Sequence, residues 1–436
     1  MGRLRCADAP ADTGGVGVAY LSAHLPVLAL AVESVAVFEA AVDRYRVALG
    51  LAPVQSDLQP GRVAASFLGD RLMRIDGEPI SGFAELSGFF ETADGWIRTH
   101  ANYPHHRARL LGVLGLPGDA DRAATTRRLR GLSADAVESD AAGAGAIAVR
   151  VRTEAEWAAS AQGQAAATGP LVGSTPRADS GSAANAGSAT LDRPLDGVKV
   201  LDLTRVIAGP TATRALALVG ADVLRIDAPQ LPEIPWQHLE TGQGKRSALL
   251  DLRSAQDHKR FRDLLAAADV LVTGYRPGAF DKFGIDPAVV RPGIIDARVS
   301  AWGESGPWAD RRGFDSIVQA ASGIALIERA DPPGALPAQA LDHATGYLLA
   351  AGVVDGLTDR VRVGRGTDVR AALARTAADL LAAPGRSEQP GEPTNPGADT
   401  LVEHGGIRTA RPALAAYADF PAPARQWGAD PADWVM

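Results

Sequence analysis

The segment that most constrains the fold is LDGVKVLDLTRVIAGPTATRALALVGADVLRID, residues 195–227. A short apolar run leads through a Gly209-Pro210 break into a helix of Ala and Leu, and a second apolar run then closes at Asp227. Two apolar strands joined by a helix form a βαβ unit, whose parallel strands are covered on both faces. Because ligands bind beyond the carboxyl ends of such strands, the sequence predicts a binding edge at residues 204–207.

The second half of the chain continues this alternation of strands and helices. The pattern predicts further strands at 247–251, 269–275, 293–303 and 367–374. Alternating elements of this kind form an α/β fold with a parallel sheet. We therefore expect residues 194–436 to form a large Rossmann-like domain that ends in a C-terminal strap.

The first half has a different pattern. Apolar runs on either side of Ala93-Asp94-Gly95 predict a β-hairpin, and a helix is expected over 105–116. Residues 17–172 are therefore expected to form a smaller α+β region, within which 17–80 match no recognisable unit. Residues 173–193 are rich in Ala, Gly and Ser, which is typical of a flexible linker.

Composition and charge exclude several classes of protein. The chain has 436 residues, enough for about two to three domains. Its net charge of −7 gives no global attraction for nucleic acids or anionic membranes. Cys6 is the only cysteine, which excludes an intramolecular disulfide and a cysteine-built metal site. No histidine pair has metal-ligand spacing, so no metal is expected.

Two stretches near the start of the sequence bear on targeting and membrane insertion. The first residues lack the apolar core of a secretory signal. The apolar stretch 17–39 is interrupted by His24, Pro26 and Glu33, which argues against a membrane span. The expectation is a cytoplasmic protein.

The βαβ unit raises the question of dinucleotide binding. A dinucleotide site needs a G-x-G-x-x-G turn so that the backbone can approach a pyrophosphate. The turn here contains one glycine, Gly209, so a nicotinamide cofactor is disfavoured although Asp227 ends the second strand. A serine hydrolase is also disfavoured, because the chain has no G-x-S-x-G elbow.

Asp342 stands just ahead of a predicted helix and allows two interpretations. It is either an N-cap that accepts from the backbone N–H of Ala344 or Thr345, or a nucleophile that takes an acyl group. The basic residues near strand ends and loops are likewise either surface charges or phosphate contacts. Spacing alone decides neither question.

Six segments, in order over about 195–375, resemble the large domain of the family III CoA-transferases. This group contains formyl-CoA transferase and carnitine CoA-transferase, and also α-methylacyl-CoA racemase. The segments are residues 195–227, GKRSALLDLRS, ADVLVTGYRPGAFDKFGID, SAWGESGPWADRRGFDSIVQAASG, ALDHATGYLLAAGVVDGL and VGRGTDV. Residues 87–116 and 152–164 resemble the family's small domain, which here precedes the large domain instead of following it.

The resemblance implies a CoA-transferase that acts on an acyl-CoA and a carboxylic acid. Asp342 matches the nucleophile, whose carboxylate attacks the donor thioester to give a mixed anhydride and CoA thiolate. The thiolate then forms an aspartyl-CoA thioester, and the acceptor acid reverses these steps. The resemblance further implies coenzyme A as a substrate component, no metal, and a homodimer. The CoA-contacting positions it indicates are Val206, Ile207, Lys245, Arg246, Leu250, Gly274, Tyr275 and Lys282.

Two alternatives remain within the same resemblance. The racemase branch carries histidine in a G-H-D motif, where this chain has Gly313-Phe314-Asp315. Because proton transfer on both faces of a carbon needs two acid–base groups, Phe314 disfavours a racemase. The rearranged order of the domains motivates the second alternative, a CoA-binding protein without catalytic activity.

Overall fold

The computed structural model describes residues 18–54, 57–181, 188–275, 280 and 283–435. The helices are α1 Val27–Ala48, α2 Pro60–Phe67, α3 Gly69–Leu72, α4 Pro104–Leu114, α5 Arg122–Leu129, α6 Ala134–Ala144, α7 Glu154–Ala159, α8 Ala161–Ala166, α9 Ala208–Leu218, α10 Pro235–Thr241, α11 Ala255–Ala266, α12 Pro287–Val290, α13 Asp315–Ser322, α14 Ile324–Glu328, α15 Ala340–Val363 and α16 Leu373–Ala382. The strands are β1 Arg74–Ile75, β2 Glu78–Pro79, β3 Gly88–Thr92, β4 Gly95–Thr99, β5 Ala148–Arg150, β6 Val172–Ser180, β7 Lys199–Leu203, β8 Asp222–Asp227, β9 Arg246–Leu249, β10 Val270–Thr273, β11 Ile295–Ser300, β12 Arg365–Ala372, β13 Leu401–His404 and β14 Ile407–Ala410.

A seven-stranded sheet in the order β6-β12-β11-β10-β7-β8-β9 forms the centre of the fold. Strands β7 to β12 are parallel, and β6 is antiparallel at one edge. This arrangement confirms the predicted α/β class with a Rossmann-like parallel sheet. The chain runs outward from β7 to β9 and then returns to place β10 on the other side of β7. Ligands bind at such a reversal of strand order, so the site is expected where β7 and β10 end.

Helices cover both faces of this sheet. Apolar residues of α9 and α15 pack on one face, and those of α11, including Phe261 and Leu264, pack on the other. Helix α1 lies along the outer side of α15, where Phe38 and Tyr347 bring their ring centroids to 6.2 Å. The first helix of the chain is thereby part of the same hydrophobic core as the large sheet.

Strands β3, β4 and β5 form a separate antiparallel sheet that packs with α4, α5 and α6. Thr92 pairs with Gly95 across the turn, which confirms the predicted hairpin. Helix α4 covers most of the predicted 105–116 segment and ends at Gly115, a left-handed residue with φ of 65°. The smaller α+β element expected from the sequence is therefore present.

A third sheet joins the two ends of the chain. It has the order β13-β14-β1-β2, so residues 74–79 pair with residues of the last quarter of the chain. The Arg62 guanidinium adds to this contact by donating to the carbonyl oxygens of Pro412 at 2.7 Å and Tyr417 at 2.6 Å. The described residues of 17–80, a range for which the sequence predicted no unit, thus connect α15 to the C-terminal segment.

The predicted linker at 173–193 requires a correction in its first part. Residues 172–180 form β6, which pairs with β12 at the edge of the central sheet. The Ala, Gly and Ser composition predicted a linker, but the hydrogen bonds of a sheet are made by the backbone and do not depend on the side chains. Arg177 adds a side-chain contact, at 2.5 Å from Asp368. Residues 182–187 lie outside the described part, and the domain division at 172 and 194 stays a prediction.

Within the described residues, the structure contains no helix that is both long and apolar enough to cross a membrane.

Candidate active site

A cleft of about 450 Å³ opens at the carboxyl ends of β7, β10 and β11. Three parts of the chain meet there: the loops that follow these strands, the start of α15, and the segment that follows β4. The residues that line the cleft include Tyr103, His105, His106, Arg205, Val206, Gly274, Tyr275, Arg311, Arg312, Phe314 and Asp342. The cleft lies at the reversal of strand order, as the topology predicts.

Asp342 lies in the wall of this cleft. Helix α15 begins at Ala340 with Gln339 as its N-cap, so Asp342 belongs to the first turn and the N-cap interpretation is wrong. Its side chain is buried, with 6% of the residue exposed. Its backbone N–H donates to Asp315 Oδ2 at 3.0 Å. The other oxygen of Asp315 accepts from Gln319, so Asp315 fixes the start of the helix.

The surroundings of these two carboxyl groups disfavour ionisation. Burial, and then the neighbouring Asp315, raises the pKa of Asp342 well above its usual value. Burial raises the pKa of Asp315 to about 6. Two adjacent buried carboxyls resist carrying two charges, because each charge lacks solvation and repels the other. Asp342 must therefore lose a strongly held proton before its carboxylate can act as a nucleophile.

Val206 occupies a strained position beside Asp342. Its φ of 72° lies in the left-handed region, which is rare for a β-branched residue. The backbone N–H of Val206 donates to Glu233 Oε2 at 3.1 Å, and this contact stabilises the unusual conformation. Strained residues of this kind occur at ligand sites where the surrounding structure holds them.

Glu233 belongs to a buried ion cluster. Arg225 contacts Glu233 at 3.0 Å and Asp227 at 2.7 Å. Burial opposes ionisation of Glu233, but Arg225 and Arg205 outweigh it and lower its pKa to about 2. Both Asp227 oxygens accept from Arg225, so this carboxylate is committed to the ion cluster and not to a ribose hydroxyl.

The other positions that the resemblance indicated divide into those at the site and those away from it. Val206, Gly274 and Tyr275 line the cleft, close to Asp342. Ile207 precedes α9 and faces a smaller cavity that also includes Asp342. These four positions are compatible with the predicted CoA contacts.

Lys245 does not line the cleft, and its role as a CoA contact stays a prediction. Its ammonium lies 3.1 Å from Asp202 Oδ2 and donates to Pro210 O at 2.8 Å and Thr213 Oγ1 at 2.6 Å. Burial, partly offset by Asp202, lowers the pKa of Lys245 to about 8. Three partners use the three N–H groups, so Lys245 ties α9 to the sheet.

Arg246 and Leu250 also lie away from the cleft. Arg246 is at the amino end of β9, the opposite edge of the sheet, and binds Asp222 at 2.8 Å. Leu250 is buried in the apolar cluster on the α11 face. Adjacent positions on a strand point to opposite faces, so sequence proximity to a motif did not place these side chains at one site. Lys282 lies outside the described residues.

Two histidines near Asp342 were missed. The ring of His100 stacks on Phe314 with centroids 3.9 Å apart, and His106 contacts the same ring edge-on at 5.9 Å. Burial lowers the pKa of His100 well below its usual value and that of His106 to about 3, so both imidazoles are neutral at physiological pH. The dense run RTHANYPHH is the signal in the sequence for these histidines, although its spacing does not match a metal site.

Metal ligation finds no support over the described ranges, where the structure brings together no group of three or more His, Cys, Asp or Glu side chains suited to an ion.

Parts of the chain are similar to known proteins. Residues 195–399 match CoA-transferase family III. An acyl-CoA transferase from Gibberella moniliformis is 30% identical over 305 residues, covering 64% of this chain and 53% of that protein. A probable fatty acyl-CoA transferase from Mycobacterium tuberculosis is 34% identical over 208 residues, covering 44% of this chain and 53% of the relative. A solved CaiB/BaiF family protein from Brucella suis has a TM-score of 0.40 at 28% identity, over 44% of this chain and 56% of that one.

The similarity to CoA-transferase family III extends over residues 195–399, a little under half of the chain. The chain spans about half the length of the two relatives named above.

Proposed function

We propose that this protein transfers CoA between an acyl-CoA and a carboxylic acid, with Asp342 as the covalent nucleophile. The observation that carries the proposal is the position of the Asp342 carboxyl in the wall of the cleft at the ends of β7 and β10. The carboxylate attacks the thioester carbonyl, the C–S bond breaks, and the products are CoA thiolate and a mixed anhydride of Asp342 with the donor acid. The thiolate then attacks the Asp342 carbonyl, which gives an aspartyl-CoA thioester and the free donor acid.

The cleft has features that suit CoA. Arg205, Arg311 and Arg312 line it, and guanidinium groups bind phosphate and carboxylate oxygens through charge-assisted hydrogen bonds. Tyr275 and Val206 supply apolar surface for a pantetheine arm between that basic side and Asp342. We assign the anionic ends of CoA and of the acid to the arginine side of the cleft.

Isotope exchange tests the two-stage reaction. A labelled free acid is incubated with its own unlabelled acyl-CoA, and label is followed into the thioester. We expect exchange in the wild type and none in Asp342→Asn. Exchange that persists in Asp342→Asn would contradict the assignment of the nucleophile. CoA binding by calorimetry without exchange on any acyl pair would support the non-catalytic alternative instead.

A racemase is the second candidate, and one observation favours it. Phe314 lacks an acid–base group, but His100 and His106 pack against its ring and place neutral imidazoles near Asp342. An imidazole and a carboxyl group are the two acid–base groups that proton transfer at an α-carbon requires. Deuterium wash-in at the α-carbon without acid exchange would select this candidate, and acid exchange without wash-in would exclude it.

We also propose that the protein is a homodimer, as the family resemblance implies. Light scattering that gives twice the chain mass would support this assembly, and the mass of a single chain would contradict it.

A further inference from the structure

A second, smaller cavity lies on the other side of Asp342. Its volume is about 20 Å³, and it shares Val206, Phe314 and Asp342 with the main cleft. These three residues therefore separate the two cavities. We call the small cavity the rear chamber; its remaining lining used here is Asp70, His100 and Gln237.

Three of the residues that line the rear chamber carry a buried polar atom without a partner within the described ranges. Asp70 Oδ1, His100 Nδ1 and Gln237 Oε1 are all buried, and none has a hydrogen-bond partner in the part of the chain that the structure describes. His100 and Gln237 are 4% and 5% exposed. Buried polar atoms are nearly always hydrogen-bonded, either to protein or to ordered water.

The size and lining of the chamber fit one water molecule. A cavity needs on the order of 10–15 Å³ and two to four polar partners to hold a water. The rear chamber supplies that volume and three polar atoms from three separate elements: α3, the end of β4, and α10.

We propose that the rear chamber binds a water that hydrolyses the Asp342–CoA intermediate, which gives the protein an acyl-CoA hydrolase activity. This inference rests on the proposed function, because it needs the covalent intermediate. The main cleft delivers the thioester to one side of the Asp342 carbonyl, and the rear chamber delivers water to the other side.

The step balances as follows. The water oxygen forms a bond to Cγ of Asp342 while the Cγ–S bond breaks, so CoA leaves as the thiolate. Asp70 accepts the proton of the water and passes it to the thiolate. The products are free CoA and the regenerated Asp342 carboxyl, and the donor acid was released in the preceding step. His100 and Gln237 orient the water.

Asp70 is the general base in this scheme. Asp70 lines the chamber, its buried Oδ1 atom has no hydrogen-bond partner among the described residues, and burial raises the pKa of this carboxyl above the usual value. A carboxylate with a raised pKa is a better proton acceptor than an ordinary surface carboxylate. The imidazole of His100 has a strongly lowered pKa and is the weaker base.

Labelled water gives the direct test. The full chain is mixed with a stoichiometric amount of acyl-CoA in H₂¹⁸O without acceptor acid, and the Asp342 peptide is examined by mass spectrometry after one turnover. We expect ¹⁸O in the Asp342 carboxyl together with free CoA. During transfer alone, the Asp342 carboxyl exchanges oxygen atoms only with the donor and acceptor acids. The appearance of ¹⁸O from water in Asp342 therefore reports hydrolysis. Labelled-acid exchange without ¹⁸O in Asp342 would overturn this inference and leave the proposed function intact.

A variant pair identifies the base. Asp70→Asn should lower the rate of CoA release without acceptor by about 100-fold, the usual contribution of a general base, and this loss should exceed any change in the rate of transfer. Glu78→Gln, an exposed carboxylate of β2, is the matched control and should change neither rate. Hydrolysis at the wild-type rate in Asp70→Asn would overturn the role of Asp70. If that variant does not fold, the ¹⁸O result on the wild type still decides whether water attacks Asp342.

Discussion

The two sides of Asp342 are built in different ways. The main cleft consists largely of residues that follow parallel strands, and most of them lie within residues 195–375. The rear chamber combines Asp70, His100 and Gln237, which come from three distant segments. One side is therefore set by a local supersecondary unit, and the other by how the N-terminal segments pack on the large sheet.

This difference separates two kinds of functional information. The βαβ unit fixes its own ligand edge, because parallel strands end together and the connecting helix begins there. The rear chamber depends on the packing of α3 against α10 and of Phe67, at the end of α2, against α15. Variants that damage one side and spare the other test whether the two sides have separate roles.

The largest effect is expected where the two sides meet. Asp342→Asn removes the proposed nucleophile and should lower both transfer and hydrolysis by about 10⁴-fold, a loss typical of a missing nucleophile. Initial rates with an acyl-CoA, with and without acceptor acid, provide the measurement. Asp359→Asn, at an exposed position of the same helix, is the control and should retain both activities. Retention of either activity in Asp342→Asn would separate that activity from the carboxyl.

The next largest effect is a loss of stability next to α3, the helix that carries Asp70 of the rear chamber. Phe67 is fully buried, and its ring stacks on Tyr347 at 6.1 Å and contacts His343 at 5.2 Å. Phe67→Ala should reduce the free energy of unfolding by about 3–5 kcal/mol, as expected for loss of a buried aromatic. Urea unfolding measures this change. We expect hydrolysis to fall more than transfer, because α3 follows Phe67 directly; an equal fall would show that the two sides are not separable.

The buried ion cluster contains Glu233, which accepts from the backbone N–H of the cleft residue Val206. The folded-state pKa of Glu233 is about 2, below its ordinary 4.5, so its ionisation stabilises the fold above pH 4.5 and that contribution is lost as pH falls toward 2. Glu233→Gln should cost about 3 kcal/mol near neutral pH, and the difference from wild type should shrink below pH 4.5. Unfolding measured at several pH values tests this. A difference that stays constant with pH would contradict the electrostatic explanation.

The smallest effect is a shift in pH dependence. In the proposed mechanism Asp342 reacts as a carboxylate, so kcat/KM should rise with pH as its raised pKa is passed. Asp315→Asn removes a neighbouring negative charge, which lowers the pKa of Asp342 and moves the acid limb of the profile to lower pH. Asp310→Asn, an exposed carboxylate in the preceding loop, should leave the limb in place. An unchanged limb in Asp315→Asn would argue against this coupling.

Sequence reasoning reached those parts of the molecule that local chemistry determines. The apolar runs around Gly209-Pro210 sufficed for the parallel sheet, and the turn at Ala93-Asp94 sufficed for the hairpin. Asp342 was singled out by its motif, although its place within the first turn required the structure. In each case neighbouring residues along the chain carry the determining pattern.

The remaining features depend on contacts that no local pattern encodes. Lys245 lies in the segment GKRSALLDLRS, which resembles a CoA-binding segment. Its side chain nevertheless packs between α9 and the sheet, because its ammonium contacts the buried carboxylate of Asp202. Residues 172–180 have a linker composition, but the open edge of β12 provides hydrogen-bond partners. Asp70 and His100 become candidates only because packing brings them behind Asp342.

The central claim is that Asp342 becomes acylated and then carries CoA. Rapid acid quenching after mixing with acyl-CoA, followed by peptide mass spectrometry, tests it most directly. We predict a CoA adduct on the peptide that contains Asp342, absent from Asp342→Asn and removed by the acceptor acid. Full turnover with no adduct, or with the adduct on another peptide, would contradict the account.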